Sequence, residues 1–373
     1  MTTASNIFSG GGLDRRGFNK MLLSLGLGMV ALPMRSQTSV AAERITYFAY
    51  AGYEDPGMHG AYQKKYGGSP ESAFFADDEA ALLKLKNGYD ADLAHPCSNS
   101  VTKWREAGVI VPVDINRLSN WDDIIPALKS VDGTTFEGQQ WFLPFDWGSN
   151  GVAFREDLVD GQYLKENSYR LLWDPRYTGR LGMWDSVDGA VAMAAAILGI
   201  KDTANVSDVE FDKIRQLLAE QRALVAYYWT SETDAETALA SGELVASYLW
   251  NAPVLRLKQQ GVPVQYMLKP KEGVISYVCG IVMLKNGPGD EQEKYDFLNA
   301  MTDPESGKFL IENLGYAHCN KNTFALVSDD VLAARGLSRD PTAYLADSTF
   351  FQTWSQDLRG RYITMFEDVK LGR

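Results

Sequence analysis

The chain has 373 residues and a formal charge of −12, with 45% hydrophobic and 23% charged residues. That is length enough for two packed α/β units, and the composition is that of a globular chain rather than a disordered or fibrous one. The acidic balance argues against nucleic acid, whose phosphates demand a basic face, and is compatible with a cationic small ligand.

Asp14-Arg15-Arg16-Gly17-Phe18-Asn19-Lys20 is a twin-arginine pattern, followed by an apolar run from Met21 to Leu32 and a small-residue exit at Val40-Ala41-Ala42. A basic head, a short apolar middle and a small-x-small end make an export signal over residues 1–42. The run is too short and too rich in glycine for a membrane-spanning helix. The expectation is a mature protein that starts near Glu43 and reaches the periplasm by the twin-arginine route. Arg15, Arg16, Lys20 and Arg35 leave with the leader against only Asp14, so the remainder is more acidic still.

Beyond the leader, strand and helix signals alternate. Residues 44–50 read as a strand ending in the turn Ala51-Gly52-Tyr53, and 56–66 as a helix opened by Pro56 and closed by Gly67-Gly68. Strand 69–76, helix 77–87, short strand 89–94 and helix 100–107 follow, each punctuated by Gly or Pro. A turn is expected at Trp147-Gly148-Ser149-Asn150-Gly151. After it come strand 181–184, helix 190–198, helix 207–221 with Ser207 as N-cap, helix 235–240, and strands 244–249 and 275–284. Helices 291–301 and 304–314 follow. Such alternation is the sign of βαβ units around a mainly parallel sheet.

Cys97, Cys279 and Cys319 are the three cysteines. At most one pair can form, and which residues it joins stays open. No C-x-x-C interval suggests a metal site. Tyr227-Tyr228 offers phenolate ligands of the kind that bind ferric ion, but alternation along a strand points the two rings to opposite faces. A cysteine nucleophile needs a positioned base, which nothing beyond sequence proximity of His95 and His318 supplies. No phosphate-cradling G-x-x-x-x-G-K loop occurs.

The order of several motifs is informative. Tyr50-Ala51-Gly52-Tyr53-Glu54-Asp55-Pro56-Gly57 ends the first strand, and Tyr89-Asp90-Ala91-Asp92 precedes Pro96-Cys97-Ser98-Asn99. Then come Leu143-Pro144-Phe145-Asp146-Trp147-Gly148, Leu172-Trp173-Asp174-Pro175, Trp250-Asn251, Lys269-Pro270-Lys271-Glu272-Gly273 and Leu314-Gly315-Tyr316. In this succession the chain resembles the spermidine/putrescine-binding proteins, periplasmic receptors of polyamine ABC importers, from about Arg44 to the C-terminus. The resemblance implies a two-lobed α/β periplasmic-binding-protein fold, each lobe a mainly parallel sheet flanked by helices. Lobe one is expected over 43–147 plus 279–322, and lobe two over 148–278 plus 323–373. It also implies a monomer that needs no cofactor or metal, performs no catalysis, and hands a small amine to an inner-membrane ABC permease.

A polyamine receptor needs aromatic faces for the methylene chain and carboxylates for the ammonium ends. By the resemblance, Tyr50 and Tyr53 match aromatic contacts of the first lobe, Trp250 a stacking tryptophan, Tyr277 a further aromatic and Gln352 a polar contact. The family's acids fall elsewhere: its principal aspartate aligns with Cys279, its acidic pair with Ser186 and Gly189, a serine contact with Cys97 and a tyrosine contact with Asn99. Asp146, beside Trp147 in the interlobe turn, and Glu232 are the preferred replacements, with Asp185 next. A site with several aromatics and few acids suits a smaller amine: a monoamine, a quaternary ammonium compound or a zwitterion such as γ-aminobutyrate. For a carboxylate-bearing ligand, Arg180 and Arg256 are the candidate partners.

Overall fold

The computed structural model describes Arg44–Arg373; the twin-arginine pattern, the apolar run and the expected cleavage site lie outside the described residues. Strand β1 (Thr46–Ala49) divides its side chains between two cores. Phe48 packs in a cluster with Trp104 and Val282, while Tyr47 and Ala49 pack in another with Phe145 and Phe297. A strand buried on both faces belongs to a sheet covered on both sides. β2 (Glu71–Phe74) and β3 (Leu93–Ala94) flank it in parallel, and β4 (Ile110–Val111) follows. β5 (Thr135–Phe136) and β6 (Gln139–Gln140) form a separate hairpin.

β7 (Leu143–Arg155) is a single long strand, buried along all but its last residue. It runs straight through Trp147–Gly151, where a turn was expected. Glycine composition misleads there, because the two glycines make room for neighbouring rings. A Cβ at Gly148 would stand 2.6 Å from the Tyr277 hydroxyl oxygen, and one at Gly151 2.8 Å from that of Tyr266.

The second set of strands is β8 (Leu181–Trp184), β9 (Val225–Trp229), β10 (Ala246–Trp250) and β11 (Val264–Tyr266), followed by β12 (Val274–Leu284), β13 (Ala317–His318) and β14 (Ser348–Phe350). The strand order is β2-β1-β3-β12-β7-β10-β8-β9, with β4 and β14 on β12 and β11 and β13 on β7. β12 spans two cores: Ile275 packs with Leu181, while Val282 packs with Phe48 and Val282–Leu284 pair with β3 and β4. β7 lies antiparallel beside β12 through their shared middle, then continues along β10. These two strands are the physical link between the lobes of the periplasmic-binding-protein type of fold.

The helices open on the expected chemistry. Asp77 accepts from the Ala80 amide at the start of Asp78–Lys86, and Ser207 and Glu210 form a reciprocal capping box on Asp208–Arg222. Ser186, not the neighbouring Asp185, caps Val187–Leu198 by accepting from the Gly189 amide. Beyond Asn322 the chain contributes to both cores. Phe324, Val327, Leu332 and Leu345 still pack with Phe48 and Trp104, whereas Trp354, Leu358, Tyr362 and Phe366 pack with Leu181 and Ile214 of the other core. Among the described residues no helix is long and apolar enough to cross a membrane.

Candidate ligand-binding cleft

Register on the shared strands assembles one face. Asp146 lies opposite Cys279, Gly148 opposite Tyr277, and Asn150 opposite both Ile275 and Trp250. Because strand residues two apart share a side, Asp146, Asn150, Trp250, Tyr277 and Cys279 all present to the same surface. Trp147 faces the other way. It is fully buried near Phe324 and Tyr344, and its indole N–H donates to the His318 carbonyl at 3.0 Å.

Asp146 is also fully buried, and protein groups already engage both of its oxygens. His95 Nε2 lies 2.8 Å from Oδ1, and the Tyr53 hydroxyl donates to Oδ2 at 2.7 Å. A carboxylate only accepts, so His95 carries a proton on Nε2; its Nδ1 is hydrogen-bonded to the Tyr47 hydroxyl. The Tyr53 ring also packs on the His95 ring at 4.3 Å. Burial, reinforced by the Asp146 charge, pushes the Tyr53 phenol well above its ordinary range. Burial does the same to Tyr277. Both rings therefore face the cleft as neutral phenols.

On the first-lobe side, the Tyr50 hydroxyl donates to Asp78 at 2.6 Å, and the Cys97 amide donates to the other oxygen of Asp78 at 3.1 Å. Burial raises the Asp78 carboxyl, opposed by the hydrogen bonds it accepts. Cys97 and Cys279 form a disulfide across 182 residues of chain, and Cys319 is a buried free thiol. The bridge fixes the start of helix Ser98–Glu106 to the middle of β12.

On the second-lobe side, the Trp250 indole donates to Asn150 Oδ1 at 2.8 Å, and its ring meets Trp184 and Trp229 edge-on at 5.2 and 5.4 Å. Tyr316 stands against Tyr277, ring centroids 6.1 Å apart. Glu232 receives Arg256 at 2.6 Å; burial raises its carboxyl, and the guanidinium opposes that. Arg256 also pairs with Glu236, and Arg180 is occupied by the Gly242 carbonyl at 2.8 Å. Asp185 is paired with Lys370 at 2.6 Å. Gln352 accepts from the Thr203 amide and hydroxyl at 2.6 and 2.9 Å.

Asn99 reaches across to Asp188 at 3.2 Å. Arg359 of the C-terminal helix Gln356–Leu371 lies 3.1 Å from Asp188 and 3.5 Å from Glu79 of the first lobe. These polar contacts bridge helices that pack on the two different cores. Asp78, Asn150, Tyr316 and Arg359 were not singled out from the sequence. Tyr316 had a signal there, in Leu314-Gly315-Tyr316; the others depend on partners far away in the chain. Among the described residues no group of His, Cys, Asp and Glu is placed to hold a metal ion.

The family model for bacterial extracellular solute-binding proteins matches residues 69–335. The chain belongs to this solute-binding protein family. A spermidine/putrescine-binding periplasmic protein of Salmonella typhimurium is 24% identical over 356 residues, covering 94% of this solute-binding protein and 98% of the relative. A putrescine-binding periplasmic protein of Escherichia coli is 25% identical over 336 residues, covering 86% and 90%. Among solved structures, a spermidine/putrescine ABC transporter substrate-binding protein of Streptococcus pneumoniae superposes with a TM-score of 0.76 at 16% identity, covering 89% of this chain and 99% of its own. These relatives are named as binding proteins.

Proposed function

We propose that this solute-binding protein serves an ABC importer as its periplasmic receptor, capturing a small organic amine by lobe closure. The ligand is smaller and less charged than spermidine. Export by the twin-arginine route and delivery by a monomer to an inner-membrane permease complete the reading. It rests on one observation: beside the aromatic residues Tyr53, Tyr277, Trp250 and Tyr316, the candidate acids already have partners. Asp146 is bonded to His95 and Tyr53, Asp188 to Arg359 and Asn99, and Glu232 to Arg256.

An ammonium group is held by π faces and by the lone pairs left on Asp146. A triamine would bury further ammonium groups without free acids, at a cost of several kcal/mol each. The names of the relatives support an amine ligand in general; the engaged acids support a short one. A thermal-shift screen over spermidine, putrescine, betaines and ω-amino acids tests this, because a ligand of the folded state raises the melting temperature. A shift with a short amine, confirmed by calorimetry, is expected. Tight spermidine binding that survives alanine at both Asp146 and Glu232 would overturn the reading.

A further inference from the structure

Asn150 carries more information than its neighbours on the cleft face. It is 1% exposed, in register between Trp250 of β10 and Ile275 of β12. The Trp250 indole can only donate, so the carboxamide must turn Oδ1 toward it, and the 2.8 Å contact fixes that orientation. Nδ2 is left with two N–H bonds and no partner in the fold. A buried donor without a partner is costly, and folds retain such groups where something else answers them.

The surroundings have the same character. Tyr277, on the same face, is a neutral phenol able to donate, and its hydroxyl lies over the bare backbone of Gly148. The Tyr248 hydroxyl, two residues before Trp250 on β10, is buried and likewise has no partner. The acidic pole of the cleft, Asp146 with Tyr53, sits at the other end of the same strand segment. One end thus favours a cation, while the sheet near Asn150 offers hydrogen-bond donors.

We propose that Asn150 is a specificity-determining residue that donates to an oxygen acceptor on the ligand. The solute is then an amine that also bears a carboxylate or carbonyl, its ammonium toward Asp146 and its oxygen toward Asn150 Nδ2. This rests on the amine-receptor reading above and narrows it. Arg180 and Arg256, the sequence-level candidates for a carboxylate partner, are engaged by Gly242 and by Glu232 and Glu236. A neutral amide therefore takes the role expected of an arginine.

Calorimetry on the processed protein with butylamine, putrescine and γ-aminobutyrate separates the possibilities, because the three share a four-carbon chain and differ only at the second end. Wild type is expected to bind γ-aminobutyrate at least tenfold more tightly than butylamine. Asn150→Ala should weaken γ-aminobutyrate about 10- to 100-fold, the range for a hydrogen bond to a charged group, and leave butylamine within about threefold. Asn150→Asp keeps an acceptor for the Trp250 indole and replaces the donors with a carboxylate, so preference should move toward putrescine. Equal binding of butylamine and γ-aminobutyrate by wild type, which needs no variant to fold, would overturn the proposal. So would an equal loss for all three ligands in Asn150→Ala. Failure of every amine to bind wild type would instead sink the amine-receptor reading itself.

Discussion

The Tyr53 hydroxyl donates to Asp146 Oδ2 at 2.7 Å, tying the turn after β1 to the strand that passes between the lobes. The Tyr53 ring is therefore fastened to a strand that pairs with both β10 and β12. A charge-assisted hydrogen bond thus couples Tyr53 to β7.

Replacing Asp146 by Asn tests that connection. The new amide can keep its oxygen toward the His95 N–H only by turning its N–H bonds toward Tyr53, whose hydroxyl must then accept and leaves its own proton without the carboxylate it now bonds. Stability should fall by about 3 kcal/mol, as for a broken buried hydrogen-bonded pair. Denaturant titration reads this directly, and an unchanged midpoint would show that the network contributes little.

Trp250→Ala should weaken amine binding by about 1–3 kcal/mol, the range for losing an aromatic face and its buried area. Calorimetry on a variant whose folding is verified by circular dichroism is the measurement. Unaltered affinity would place the ligand elsewhere.

Stability should decline as the medium is acidified below about pH 6.5. His318 is fully buried, donates from Nε2 to the Met301 carbonyl and accepts at Nδ1 from Thr323, and burial lowers it to about 4. The unfolded chain takes up this proton at higher pH than the folded one. The stabilisation is therefore complete above the unfolded value of about 6.5 and is lost as pH falls toward the folded value. That gap is worth roughly 3 kcal/mol. His59, also lowered to about 4 by burial, acts in the same sense. Melting temperature against pH should slope less in His318→Gln than in wild type; identical slopes would remove His318 as a cause.

Opening the disulfide by substituting serine at Cys97 and Cys279 should cost about 2–5 kcal/mol, given the long loop it closes. A thiol reagent should find no reactive group in the native oxidised protein and one, Cys319, after denaturation. Two further thiols in the denatured, unreduced protein would contradict the pairing.

Arg359→Ala removes the side chain that joins Asp188 to Glu79. A partly exposed ion pair is worth about 0.5–1 kcal/mol, so affinity should drop only a few-fold. The loss should appear in the dissociation rate, measured by stopped flow, and shrink at high salt.

Much of the fold was legible because its signals are local. Asp77 and Ser207 sit three residues from the amides they cap, and Gly67 follows directly on its helix, so none of these needs a distant partner to be recognised. β7 was not legible, since Gly148 and Gly151 read as a turn until the Tyr277 and Tyr266 rings that need the space are known. The aromatic half of the site followed from matched positions, but its electrostatics did not. Asp185 and Lys370 are separated by 185 residues, and Glu232 and Arg256 by 24, so no local pattern says which acids are free. Asn150 was passed over for a related reason, because a donor without a partner can be recognised only once every neighbour is in place.

Since β7 and β12 are held in common, neither lobe owns a complete sheet. Severing the chain between the lobes would strip an interior strand from each and leave long, flat, apolar edges of the kind that aggregate. The protein should accordingly melt in one cooperative transition rather than two, and its halves should be insoluble when expressed apart.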